Sequence, residues 1–174
     1  MTKNVLLTIF VATLAAGLGG YIKLMNPDVQ FNHDKKENLN DFVLMDLLSN
    51  PHSVNEWQGK IRIINFWATW CPPCLEEIPN FIELQEQYAE KNIQFIGVAI
   101  DNKESVTQYL TSKAINYPML LAENEGLNLA KELGNTMNVV PYTVIVNQQG
   151  YVIKRHQGQI SKEKLREIIA SLIQ

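Results

Sequence analysis

"FWATWCPPCLEEIP", residues 66–79, holds the only two cysteines of a 174-residue chain, Cys71 and Cys74. Such a C-x-x-C pair can be a structural staple, part of a metal site, or a redox couple. A structural zinc site needs about four ligands, and His33, His52 and His156 form no spaced pair to complete one. A disulfide between residues this close constrains the unfolded chain little, so as a staple it stabilises weakly. Redox exchange is the reading that remains. The motif follows "KIRIINFWAT" (60–69), a β-branched and aromatic run typical of a buried strand. It opens "PCLEEIPNFIELQEQYAEK", where Leu75, Ile78, Ile82, Leu84 and Tyr88 recur at near-helical spacing. Cys71 is thereby expected at a helix N-terminus, where unpaired backbone N–H groups and the helix dipole favour a thiolate. Cys71 reads as the exposed nucleophile. Cys74, one turn on, reads as the resolving thiol. Pro72 and Pro73 suit a first helical turn, where a missing N–H matters least. Trp70 is open to two readings, an exposed aromatic for partner contact or partial core packing.

Outward from the motif, strands and helices alternate. "IQFIGVAI" (93–100) reads as a second buried strand ended by Asp101, and "ESVTQYLTSKA" and "EGLNLAKELG" as helices, with Gly134 as a C-cap. "YPMLLAE" reads as a short strand. "PYTVIVN", the turn "QQG" and "YVIKRHQG" form a hairpin, and "SKEKLREIIASLI" a closing helix with Ser161 as N-cap. This order predicts an α/β fold with a mixed central sheet covered on both faces.

Upstream, Val5–Ile22 runs 18 residues without a charge between Lys3 and Lys23. That fits a short membrane-spanning helix or the apolar part of a signal peptide. Residues 1–25 are read as a membrane anchor or signal segment, with an uncleaved anchor favoured. No cysteine lies near it for lipid attachment. Residues 26–37 are a polar linker and 38–174 the folded domain. Export would place the cysteines where disulfides persist. A net charge of -3 and a pI near 5.6 argue against nucleic-acid binding.

"NFWATWCPPC" resembles the W-C-x-x-C active-site motif of the thioredoxin superfamily. More narrowly, the chain resembles its membrane-anchored, extracytoplasmic TlpA/ResA/CcmG-like branch over about residues 38–174. Pro79 falls where that family kinks its active-site helix. "VVPYT" matches the loop whose cis-proline faces the dithiol, making Pro141 that residue. "VIVNQQGYVIKRHQG" resembles the last hairpin, and the helix and strand between Ile100 and Pro141 resemble the branch's αβ insertion. The resemblance implies a thioredoxin-like fold and a redox-active disulfide between Cys71 and Cys74. It further implies a partly buried Glu77 able to exchange protons with Cys74, while Glu76 lies on solvated helix surface. Asn65 departs from cytoplasmic thioredoxins, which carry an acid there, and Glu77 is a candidate substitute. Val140 and Pro141, with Trp70, would bind an extended substrate segment strand-fashion.

The implied activity is thiol-disulfide exchange on envelope proteins, reduction being favoured over oxidation. The resemblance implies electrons from a membrane donor of the DsbD/CcdA kind, and no metal, haem or flavin. The expected place is the bacterial inner membrane, single-pass, with the domain in the periplasm, or free in the periplasm if the leader is cleaved. A peroxiredoxin-type peroxidase would need the proline of P-x-x-x-T-x-x-C, which "IINFWATWC" lacks. A non-catalytic binding module on the same fold is the other alternative.

Overall fold

The structure is a computed structural model that describes residues 37–173. The chain divides into two units, residues 1–35 and 36–174, and the described residues lie in the second. The expected anchor at 1–25 is outside the described residues, among which no helix is long and apolar enough to cross a membrane.

The run read as a buried strand becomes β4 (Ile61–Trp67), and every one of its seven residues is buried. It pairs in parallel with β5 (Ile93–Ala99) and antiparallel with β7 (Tyr142–Val146). The eight-stranded sheet is completed by β1 (Glu37–Asn38), β2 (Val43–Asp46), β3 (Pro51–Ser53), β6 (Met119–Leu121) and β8 (Tyr151–Gln157). Their order is β1-β8-β7-β4-β5-β6-β2-β3. Four α-helices connect them, α1 (Pro72–Tyr88), α2 (Lys103–Thr111), α3 (Gly126–Glu132) and α4 (Lys162–Leu172). This is the thioredoxin-like α/β architecture expected from the motif.

Strand alternation divides the core in two. Ile61, Ile63 and Trp67 of β4 join Phe81 and Leu84 of α1, Val106 of α2 and Leu165 and Ile169 of α4. Ile64 and Phe66 face the other way, onto Val98, Tyr142, Val144, and Ala130 of α3. Burying a side chain of this size contributes roughly 1.5–3 kcal/mol, so the two clusters together fix the register of β4. Along α1 the buried residues are Cys74, Glu77, Ile78, Phe81, Leu84, Gln85 and Tyr88. Leu75 and Ile82, expected on that face, are only partly buried, because the buried stripe also takes in Glu77 and Phe81.

The segment before β4 departs from a simple strand–helix alternation. β2 and β3 form an edge hairpin whose turn is organised by one side chain. Asp46 Oδ1 accepts from the N–H groups of Leu48 and Asn50, both at 2.8 Å. The outward side chains of β2, Val43 and Met45, are apolar yet exposed, so the sequence carries no polar–apolar alternation there. β1 straddles residue 38, where the sequence places the start of the domain, and pairs with β8.

Gly134 ends α3 with φ +100°, as its C-cap reading requires, and a Cβ there would lie 2.6 Å from Arg155 Nε. Arg155 Nε already donates to the Leu133 carbonyl at 2.8 Å, as does the Tyr142 hydroxyl. Gly134→Ala is expected to cost about 1–3 kcal/mol, read as a lower urea midpoint at unchanged m-value.

Candidate active site

The dithiol loop is built from the end of β4. Cys71 is the N-cap of α1, with Pro72 and Pro73 at the first two helical positions. Two prolines supply no N–H, so the first helical donor is that of Cys74. It points at Cys71 Sγ, 3.3 Å away, and a thiolate at that sulfur would gain both this hydrogen bond and the helix N-terminal field. Cys71 and Cys74 are joined as a disulfide. Their exposures are 4% and 0%. In this oxidised form Cys71 is therefore not the openly exposed residue expected from the sequence, because the bond folds its Sγ back over the first turn. It remains the more accessible of the two.

The loop is tied at its other end. Asp101, just past β5, accepts from the Thr69 N–H at 3.2 Å and from the Thr69 hydroxyl. Trp70 is 63% exposed beside the pair, which decides between its two readings in favour of a surface aromatic. A cleft of about 350 Å³ runs from it past Asp101 to Leu127.

Glu77 is fully buried on the sheet side of α1, where the i, i+3 spacing sets it on the same side as Cys74. Burial raises its pKa to about 7, against the lowering effect of the hydrogen bonds it accepts. Those come from the Ile160 N–H at 3.1 Å and Asn65 Nδ2 at 2.7 Å. Glu76 lies at the surface, accepting from Gln159 Nε2 at 3.2 Å. Pro79 sits inside α1, which continues to Tyr88. Without an N–H it leaves the Leu75 carbonyl no helical partner at that position.

The Val140–Pro141 peptide bond is cis. The register pairs Phe66 with Tyr142, so Pro141 lies one step further along, level with Trp67 at the end of β4 that feeds the dithiol loop. Val140 packs against the cluster that contains both cysteines. The approach to Pro141 is held by a residue that carried no sequence signal. Asn135, fully buried, donates from Nδ2 to the Val139 carbonyl at 2.7 Å and accepts from its N–H at 3.2 Å. Asp101 was readable only as a strand end, and its tie to Thr69 is purely tertiary. Among the described residues no group of three or more His, Cys, Asp or Glu side chains is placed to hold a metal ion.

A family model described as Redoxin matches residues 33–172. The chain belongs to the Redoxin family. Its dithiol motif, fold and relatives make it a thioredoxin-superfamily protein of the TlpA/ResA/CcmG-like kind. It is 29% identical over 130 residues to the thiol-disulfide oxidoreductase ResA of Halalkalibacterium halodurans, covering 74% of this chain and 72% of that one. To the thioredoxin-like protein YneN of Bacillus subtilis it is 30% identical over 130 residues, 73% and 74% of the two chains. Among solved structures it resembles a thiol:disulfide interchange protein of the thioredoxin family from Chlorobium tepidum. That match has a TM-score of 0.72 at 26% identity, covering 80% and 98% of the two chains.

The raised Glu77 pKa has a stability consequence with a definite sign. The folded state holds the proton more tightly than the unfolded chain, so this stabilising contribution is complete below about pH 4.5 and is lost as pH rises to about 7. Glu77→Gln removes the titration. The unfolding free energy of the variant relative to wild type is expected to climb by about 3 kcal/mol between about pH 4 and about pH 8. Because Gln also alters the bonds to Asn65 and Ile160, it is this slope that chemical denaturation should follow, not the offset.

Proposed function

We propose that this chain is an extracytoplasmic thiol-disulfide oxidoreductase that reduces disulfides in envelope proteins through Cys71 and Cys74. The observation that carries the reading is the pair itself, a disulfide at a helix N-terminus with the Cys71 sulfur facing the Cys74 N–H. The relatives named thiol-disulfide oxidoreductase support the reaction class. The uncharged Val5–Ile22 stretch supports export and tethering, with the domain outside the cytoplasm.

The exchange balances as follows in the reducing direction. The Cys71 thiolate attacks a substrate disulfide, and one substrate sulfur leaves and takes up a proton. Cys74 gives its proton to the Glu77 carboxylate, which at a pKa of about 7 is partly ionised near neutrality. The Cys74 thiolate then attacks Cys71 Sγ. The mixed disulfide breaks, the second substrate sulfur departs as a thiolate that takes up the proton held by Glu77 or one from water, and two electrons have passed to the substrate. What is left is the Cys71–Cys74 disulfide. Val140 and Pro141 present backbone to an extended substrate segment, and Trp70 adds apolar contact. Regeneration needs a dithiol donor, for which a membrane carrier of the DsbD/CcdA kind fits an anchored domain.

Equilibration of the full chain with glutathione tests direction and activity together. A potential near about -270 mV is expected for a reductant, whereas one near about -120 mV would make it an oxidant. Cys74→Ser should halt turnover and accumulate mixed disulfides through Cys71. A pair that never exchanges would leave a binding module on the same fold.

A further inference from the structure

Two polar side chains stand where the sheet is otherwise apolar. On β4 the alternation that turns Ile61, Ile63 and Trp67 toward α1 turns Asn65 the same way. On β7, Thr143 shares that face with Ile145. Asn65 and Thr143 are direct partners in the antiparallel ladder, and both are buried. Beneath α1 they form a single polar step, and the carboxylate of Glu77 rests on it.

The hydrogen bonds use the amide in one orientation. Asn65 Nδ2 has two hydrogens; one goes to Glu77 Oε1 at 2.7 Å and the other to Thr143 Oγ1 at 3.1 Å. Thr143 accepts the second amide hydrogen and anchors Asn65 on the sheet, while the ionised carboxylate, which can only accept, is what turns the nitrogen toward it. Glu77 Oε2 takes the Ile160 N–H at 3.1 Å, so each carboxylate oxygen has one donor. A donor facing a carboxylate stabilises its ionised form, whereas an amide oxygen turned to the same place would stabilise the protonated acid.

We propose that Asn65 is a positioning residue for the exchange reaction, holding Glu77 against the sheet and setting the pH at which its carboxylate can accept the Cys74 proton. This rests on the reading of Glu77 as proton acceptor in the proposed reaction. The titratable groups facing Glu77 are few. Cys74 shares its helix, and Tyr117 approaches from the segment before β6, its hydroxyl pushed far up by burial and by the Glu77 charge. Tyr117 stays neutral and does not compete for the proton. At the end of β8 His156 bonds the Gln159 carbonyl, at the start of α4 Lys162 pairs with Glu83, and what the segment between them gives Glu77 is the Ile160 N–H. Glu76, next in sequence, is engaged with Gln159 at the surface.

The test uses the full chain in two redox states. In the oxidised chain no cysteine titrates, so the assigned ¹³C-carboxyl resonance of Glu77 follows its titration without coupling to a thiol. Asn65→Ala should raise its midpoint by about one pH unit, the size of one lost hydrogen bond to a charged group. Thr143→Val keeps the volume and removes the amide's second anchor, and should raise it less. In the reduced chain, the rise of the rate with pH toward glutathione disulfide should move upward by the same amounts. A Glu77 midpoint unmoved in both variants overturns the proposal, as does a midpoint that moves while the rate profile stays. If Asn65→Ala does not fold, the near-isosteric Thr143→Val decides alone. A wild-type chain that exchanges nothing would instead sink the proposed function, and the oxidised-state titration would still report whether Asn65 governs Glu77.

Discussion

β4 is buried from end to end, and the placement of every group at the site follows from what that strand must satisfy. Its neighbours on both sides complete its backbone hydrogen bonds, and α1 and α4 cover one face while α3 covers the other. A strand so enclosed cannot slip by one residue without turning Asn65 and Arg62 onto the wrong faces. Its C-terminal end is consequently a fixed point. From it the chain runs through Thr69, held by Asp101, directly into the N-cap of α1. The position of Cys71 is inherited from the sheet.

Glu77 shows the same enclosure acting on charge. A carboxyl inside an apolar cluster is unfavourable when ionised, and an apolar residue at that place would let the fold bury more surface. Glu77 nevertheless sits on the same side of α1 as Cys74 with both oxygens given donors, and its burial there lowers stability above neutral pH. The hydrogen bonds keep the penalty moderate. Without them burial would push the pKa of the group up further.

Much of this was legible in the chain. β4, β5, α1, the last hairpin and α4 are long or strongly patterned, and the C-x-x-C spacing with a following helix points to exchange chemistry before any fold is known. Ser161 caps α4 as its position suggests, accepting from the Lys164 N–H. The failures share a cause. β1, β2 and β3 are strands of two to four residues at the two ends of the sheet, too short to carry a period, and β1 and β2 dock on β8 and β6, far away in sequence. Asp101 and the Asn65–Thr143 step act across separations that no local pattern encodes, and the Asn135 clamp, though local, lies in an irregular loop with no period to read. Asn65 was visible as a departure from cytoplasmic thioredoxins, yet its partner 78 residues on was not. Cys71 was read from its reactivity, whereas its exposure in the oxidised form is set by the disulfide.

The Asn135 clamp separates shape from chemistry in the loop before Pro141. It grips the main chain of Val139 by both donor and acceptor, and the turns between use backbone groups, Thr136 N–H to the Gly134 carbonyl and Asn138 N–H to the Asn135 carbonyl. The side chains of Thr136, Met137 and Asn138 are exposed and free of that task. Thr136 and Met137 can thus drift in sequence while the path of the loop is kept, whereas Asn138, at φ +53°, is confined to residues that tolerate left-handed backbone. Substitution at Thr136 or Met137 changes the surface near Pro141 without touching the main-chain bonds that fix the loop.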